Sequence, residues 1–243
     1  KCCSNSILFY NLHNPVGHPC IITRLFLFVI IIIFTYIMTN KKAIIFDLDE
    51  TMGYFQNFGI FFYTLQNYLG QTFTSDVFNK LIDLYPEILR PLIFDILKFI
   101  LDNKKYHDLK IMIYTNNQGP KEWIQLIKNY FENKLKTKIF DKIIYAFMIN
   151  GKKIEPARTT HQKTYKDLLK TTKIPRNTKI CFIDDVYFEE MEDDNVYYIN
   201  IEPYTCSLNY VTMVKRLIES KIFQNVESDD IKILIGFFSF YYK

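Results

Sequence analysis

No C-x-x-C pair occurs among the five cysteines, Cys2, Cys3, Cys20, Cys181 and Cys206. That removes the common zinc and redox motifs, and the odd count suits a reducing compartment. Nor is there a bank of one charge sign. The 30 Lys and Arg against 26 Asp and Glu leave a formal +4 that is scattered along the chain, so no electrostatic footprint for nucleic acid stands out. Internal repeats and Gly/Ser linkers are missing, and alanine stands only at Ala43, Ala146 and Ala157. The alanine shortage beside abundant Lys, Asn, Ile, Tyr and Phe reflects AT-rich coding DNA rather than function. What is there is ordinary for a folded protein: 243 residues, 49% hydrophobic and 23% charged, predict one globular domain with appendages.

The chain divides into an extension over 1–40, a domain over 41–222 and an aromatic-rich tail over 223–243. Leu25 to Met38 (LFLFVIIIIFTYIM) is uncharged and apolar, but a 14-residue helix spans only about 21 Å against a hydrocarbon core of about 30 Å. Extending it back to Cys20 takes in Arg24, which could snorkel to headgroups. Two readings stand: an untranslated leader before a start at Met38, or a short membrane-proximal helix or anchor over 20–38. The first implies a cytoplasmic or nuclear protein and the second a membrane-anchored one. Only Thr39 to Lys41 would join such a helix to the first strand, which favours the leader.

From Lys41 onward, short apolar β-rich runs alternate with stretches of helical period, predicting a mostly parallel sheet with helices on both faces. Strands are expected at Ala43–Phe46, Lys110–Tyr114, Lys142–Phe147, Lys179–Ile183 and Val196–Ile201, each an apolar run suited to burial on both faces. Phe61–Tyr68 and Val77–Leu84 read as helices of an insertion spanning 52–90, with Thr74 or Ser75 as N-cap. Further helices are expected over about 91–101, after Pro120, over 164–170 and over 210–219. Trp123, Ile124, Ile127, Tyr130 and Phe131 recur at helical spacing and read as core. Cys181, inside the run Ile180–Ile183, reads as a small hydrophobe.

The chemistry sits where two of these strands end. Lys42 to Thr51 (KAIIFDLDET) runs a hydrophobic strand into Asp47 and Asp49, and Ile180–Ile183 runs into Asp184 and Asp185. Buried strands avoid carboxylates unless something neutralises them. Parallel strands bring their C-terminal ends to one sheet edge, where ligands bind in open α/β folds. Four carboxylates converging there call for a hard divalent cation with oxygen ligands, Mg²⁺.

These residues resemble the motifs of the haloacid dehalogenase-like hydrolase superfamily. DLDET is similar to its first motif, Ile113-Tyr114-Thr115-Asn116 to the second, a lysine before the fourth strand to the third, and Ile183-Asp184-Asp185 to the fourth. Arg90-Pro91, Lys166-Asp167-Leu168 and Ile201-Glu202-Pro203-Tyr204 further resemble the branch of NLI-interacting-factor-like, RNA-polymerase C-terminal-domain phosphatases. The likeness covers about Lys41 to Ser220. It departs from the branch in an insertion that reads as helical and in Thr51-Met52-Gly53.

The resemblance implies a three-layer Rossmann-like fold with a small helical insertion after the first strand, and a Mg²⁺-dependent phosphatase working through an aspartyl-phosphate. Asp47 would be the nucleophile and Asp49 the general acid and base. Asp47, the Asp49 carbonyl, Asp184 and Asp185 would hold the metal, and Thr115 and Asn116 the phosphate. Thr51 would touch substrate or brace the loop. Lys163 and Lys166 compete as the third-motif lysine: position near the helix start favours Lys163, the KDL pattern favours Lys166, and the i,i+3 spacing would let both approach. Arg158 and His161 could contact substrate, but read rather as surface-loop residues. The implied substrate is a phosphorylated protein carrying phosphoserine or phosphothreonine. A small molecule, a nucleic-acid 3′-phosphate, or a non-catalytic binding role near a membrane are the alternatives. A monomer is expected.

Overall fold

The computed structural model describes residues 41–104, 108–223, 233, 234 and 236. The extension over 1–40 and nearly all of the tail, with both readings of the apolar segment, lie outside them. No helix among the described residues is long and apolar enough to cross a membrane.

Five strands form one parallel sheet in the order β3-β2-β1-β6-β7: β1 (Lys42–Phe46), β2 (Leu109–Tyr114), β3 (Lys142–Ile144), β6 (Lys179–Asp184) and β7 (Val196–Asn200). Helices cover both faces, giving the expected three-layer α/β architecture. Strand pleating sorts the apolar side chains into two cores. Ile44 and Phe46 of β1 join Ile111, Ile113 and Ile183 on the face carrying α1 (Phe55–Leu69), α2 (Ser75–Asp83), α3 (Ile93–Lys104), α4 (Lys121–Leu135) and α6 (Tyr210–Ser220). Ala43 and Ile45 join Met112, Tyr114 and Phe182 on the other face, under α5 (Tyr165–Thr172). Cys181 is buried in the first core, and burial pushes its thiol up to about 12, the inert state of a packing residue.

Within the insertion, α1 starts six residues earlier than its apolar period suggests. Gly59 does not interrupt it: a Cβ there would lie 3.1 Å from Trp123 Cζ2, so the missing side chain lets the indole rest on the helix. Phe58, Phe62 and Phe78 pack around the same indole, with ring centroids 5.5 to 5.9 Å away. Thr74 caps α2, accepting from the Val77 N–H at 3.4 Å.

The third strand is shorter than the expected Lys142–Phe147. Residues after Ile144 leave the sheet, and Met148–Ile149 (β4) pairs antiparallel with Lys152–Lys153 (β5). Asn150 and Gly151, both at positive φ (49° and 73°), make the turn. An Asn-Gly pair is a strong hairpin signal, so this element was open to detection in the sequence.

Candidate active site

The sheet order reverses at β1, which lies between β2 and β6, and the crevice at that reversal is where open α/β sheets bind ligands. Register then fixes who meets whom. Phe46 pairs with Ile183, so the next residues, Asp47 and Asp184, end adjacent strands side by side, and the Asp47 N–H donates to the Ile183 carbonyl at 2.8 Å. Both aspartates follow the pleat of Ile45 and Phe182, on the face covered by α5. The segment leading into α5 supplies the cation: the buried Lys163 ammonium binds Asp47 and reaches Asp184 Oδ2 at 2.6 Å. It lies over the rings of Tyr114 and Phe188. Oxygens of Asp47, Asp184 and Asp185 all fall within 4.8 Å of one another.

Two buried carboxylates therefore share one ammonium, with the half-buried Asp185 beside them. Burial raises the Asp47 pKa, with Lys163 offsetting only part of it, and pushes Asp184 up to about 7 against the same lysine. Burial pulls the Lys163 ammonium down, but the Asp47 and Asp184 charges together outweigh it, and the lysine stays charged. Asp49 is pushed up to about 7, first by burial and then by the Asp47 charge. Its Oδ2 accepts from Asn117 Nδ2 at 2.7 Å, while its Oδ1 is buried without a partner among the described residues. A carboxyl poised near neutrality with one free buried oxygen can hold or release a proton there.

The loop that carries these aspartates is fixed by its backbone. Glu50 adopts a positive φ of 58°, and its N–H donates to the Gly53 carbonyl at 2.8 Å. At Gly53 a Cβ would come within 2.8 Å of the Ile88 carbonyl oxygen, so only glycine fits. Arg90 donates to the carbonyls of Thr51 (2.6 Å), Glu50 (2.6 Å) and Glu202 (2.7 Å). Thr51 is buried; its hydroxyl donates to Asp185 Oδ1 at 2.8 Å and accepts from the Asp185 N–H at 3.2 Å. It braces the loop against Asp185 and does not line the cavity, which corrects its placement among substrate-binding residues.

Thr115 and Asn116 follow β2 beside the cluster, and the Thr115 hydroxyl oxygen accepts from the Asn117 N–H at 3.0 Å. One cavity of about 600 Å³ is lined by Asp47, Asp49, Thr115, Asn116, Lys163, Asp184 and Asp185 together. Asp49 belongs to it, but its side chain is not one of the three clustered carboxylates. Lys166 is a second correction: it is exposed and does not line the cavity. The i,i+3 argument fails because Lys163 precedes the helix. Thr164, extended at φ −128° and ψ 145°, is the N-cap, accepting from the Asp167 N–H at 3.0 Å. In the KDL segment Asp167 and Leu168 are buried, and Asp167 accepts from the Thr159 N–H at 2.7 Å.

Arg158 is neither a surface residue nor a substrate contact. It is 0% exposed. Its guanidinium donates to the carbonyls of Thr115 (3.4 Å), Tyr145 (2.9 Å), His161 (2.9 Å) and Gln162 (3.0 Å), and lies on the Tyr114 ring. It holds the segment that presents Lys163. His161 is exposed, its ring edge against Phe147. Asn117, the partner of Asp49, was missed in the sequence; only its place two residues after Thr115 could have signalled it.

No family model, no curated protein and no solved structure matches this chain. The chemistry on hand is a set of converging carboxylate oxygens of the kind a hard cation takes, a buried lysine–aspartate pair, and a carboxyl at Asp49 that can hold or release a proton.

Proposed function

We propose that this protein is a phosphoric monoester hydrolase that works through an aspartyl-phosphate on Asp47. The observation that carries the reading is the pairing of roles at one sheet edge: Asp47 held by a buried lysine, with Asp49 two residues on and poised near neutrality. One carboxylate cannot be the ionised nucleophile and the protonated acid in the same step, and here the Lys163 ammonium lies on Asp47, favouring its ionised form, while Asp49 is held by the neutral Asn117 amide. The resemblance to the haloacid dehalogenase-like hydrolases, in four ordered motifs, supports the same division.

In this reading an Asp47 oxygen attacks phosphorus as the bond to the ester oxygen breaks, and Asp49 gives its proton to the departing alkoxide. The Asp49 carboxylate then takes a proton from water, whose oxygen attacks phosphorus and frees Asp47 and phosphate. Thr115 keeps a hydroxyl proton to donate to a phosphate oxygen, since its oxygen already accepts from Asn117. Lys163 stabilises the ionised form of Asp47 and contributes positive charge beside the phosphate.

The donor set fits Mg²⁺: three carboxylates with converging oxygens and a single ammonium leave negative charge uncompensated. Asp47, Asp184, Asp185 and the Asp49 carbonyl would hold the ion. When bound it would screen the carboxylate nucleophile from the phosphate anion. The test is hydrolysis of acetyl phosphate and an aryl phosphate with Mg²⁺, then with excess chelator. Turnover that stops in chelator is expected. Undiminished turnover in chelator would remove the metal from the reading, and no turnover or phosphoenzyme with any ester would remove the hydrolase.

A further inference from the structure

The cavity that holds the carboxylates runs on past them along α1, and its far wall bears on the alcohol half of the ester. At about 600 Å³ it has the size of a pocket for a whole organic ligand rather than for phosphate alone. Its wall is made by α1 and the start of α4, and α1 (FQNFGIFFYTLQNYL) carries no charged residue. Ile60 and Tyr63, three residues apart on one helical face, are half-buried and line the cavity beside Trp123. Gly59 allows the flat indole to lie against the helix there.

Charge narrows the choice further. Among the described residues, Asp47, Asp49, Glu50, Asp184 and Asp185 line the cavity against one cation, Lys163, which is already bound by two of them. A second anionic group on the ligand would find no partner and would meet carboxylates instead. Nucleoside diphosphates, bisphosphates and 3′-phosphorylated oligonucleotides are disfavoured on that ground, since a phosphate backbone needs Lys and Arg to neutralise it. A serine or threonine phosphate would leave the apolar wall largely unused.

We infer that the cleft takes the phosphate monoester of an uncharged aromatic alcohol, an aryl or arylmethyl phosphate, its ring on the wall of Ile60, Tyr63 and Trp123. This deepens the hydrolase reading and rests on it for the chemistry, but its binding half can be tested alone. Trp123 is the single tryptophan of the chain, so its emission reports occupancy of that wall.

Benzylphosphonate and methylphosphonate, which cannot be hydrolysed, are titrated into the full chain with Mg²⁺ while Trp123 fluorescence is followed. The benzyl compound is expected to bind at least about tenfold more tightly and to change the emission, as burial of a ring against apolar side chains requires. Ile60→Ala and Tyr63→Ala should each shrink that ratio. Equal affinity of the two phosphonates overturns the inference.

Hydrolysis of benzyl against ethyl phosphate, both aliphatic leaving groups, carries the test to turnover. Selective binding without hydrolysis of either ester would sink the hydrolase and leave the pocket standing. Equal kcat/KM for the two esters would sink the pocket and leave the hydrolase. Peptides carrying phosphotyrosine or phosphoserine, set against free phenyl phosphate, separate the sources. Preference for phosphotyrosine or for phenyl phosphate supports the inference and assigns the source; preference for phosphoserine overturns it.

Discussion

Two loops without regular structure meet at the sheet edge, and each is held through its carbonyl oxygens by one arginine. Residues 47–53 leave β1 with Asp47 and Asp49 and are gripped by Arg90, which comes from the chain before α3 and also binds the Glu202 carbonyl. Residues 155–163 approach α5 with Lys163 and are gripped by Arg158, which belongs to the loop itself and ties it to the ends of β2 and β3. A guanidinium offers five donors in a planar fork, so one side chain can gather several carbonyls that no ladder serves. The difference lies in depth. Arg158 is 0% exposed whereas Arg90 is half-buried, so water can stand in for Arg90 and not for Arg158.

The comparison is broken most severely at the chemistry of the first loop. Asp47→Asn removes the proposed nucleophile and should lower turnover by about 10⁴-fold or more. It also removes one of three crowded carboxylates, so the metal-free urea midpoint should hold steady or rise. Steady-state assays and urea melts check both halves, and wild-type turnover in the variant would refute the assignment.

The clamps themselves come next. Arg158→Met strips donors from four carbonyls in a dry place and should cost about 3 kcal/mol of stability, with turnover falling as Lys163 loses its mooring. Arg90→Met should cost about 1–2 kcal/mol, since solvent reaches part of that site. Denaturant melts of the two variants rank them, and a reversed order would defeat the depth argument.

A smaller effect follows from protons. Asp49 and Asp184 titrate near 7 in the fold and near ~3.9 when unfolded. Between those values the folded state keeps protons that the unfolded state releases, so these groups lower stability as pH rises through that window and add nothing further above it. Metal-free protein should lose on the order of 5 kcal/mol between about pH 5 and about pH 7.5, with a shallower loss in Asp49→Asn. Mg²⁺ should flatten the curve by binding the ionised carboxylates. Stability that climbs with pH across the window in chelator would contradict the raised values.

The smallest effect sharpens the contrast between neighbours. Lys166→Ala touches an exposed side chain and should change stability by less than about 0.5 kcal/mol and turnover by less than about twofold. A large loss of kcat would put Lys166 back among the candidate groups.

How much of this was legible in the chain follows from the range of the interactions. The apolar runs ending in Asp47 and Asp184 announced buried parallel strands with acidic ends, because burial on both faces leaves a continuous hydrophobic run. Thr74 announced a helix start, because a cap bonds within three residues. Arg158 was illegible, because its worth lies in the carbonyls of Thr115 and Tyr145, which the sheet brings to it and which every residue possesses. Lys163 and Lys166 were undecidable for a related reason. Periodicity presumes a helix, and the residue that reaches the carboxylates stands just outside one.

The sequence by itself determined the layered α/β plan and the kinds of group at the sheet edge, since hydrophobic period and local chemistry are properties of neighbours along the chain. The tertiary structure decided which lysine meets the carboxylates, that Thr51 braces while Asn117 holds Asp49, and that α1 gives the cavity an uncharged wall. Each of these depends on strand register and on packing between segments far apart in the chain, and no local pattern encodes such distances.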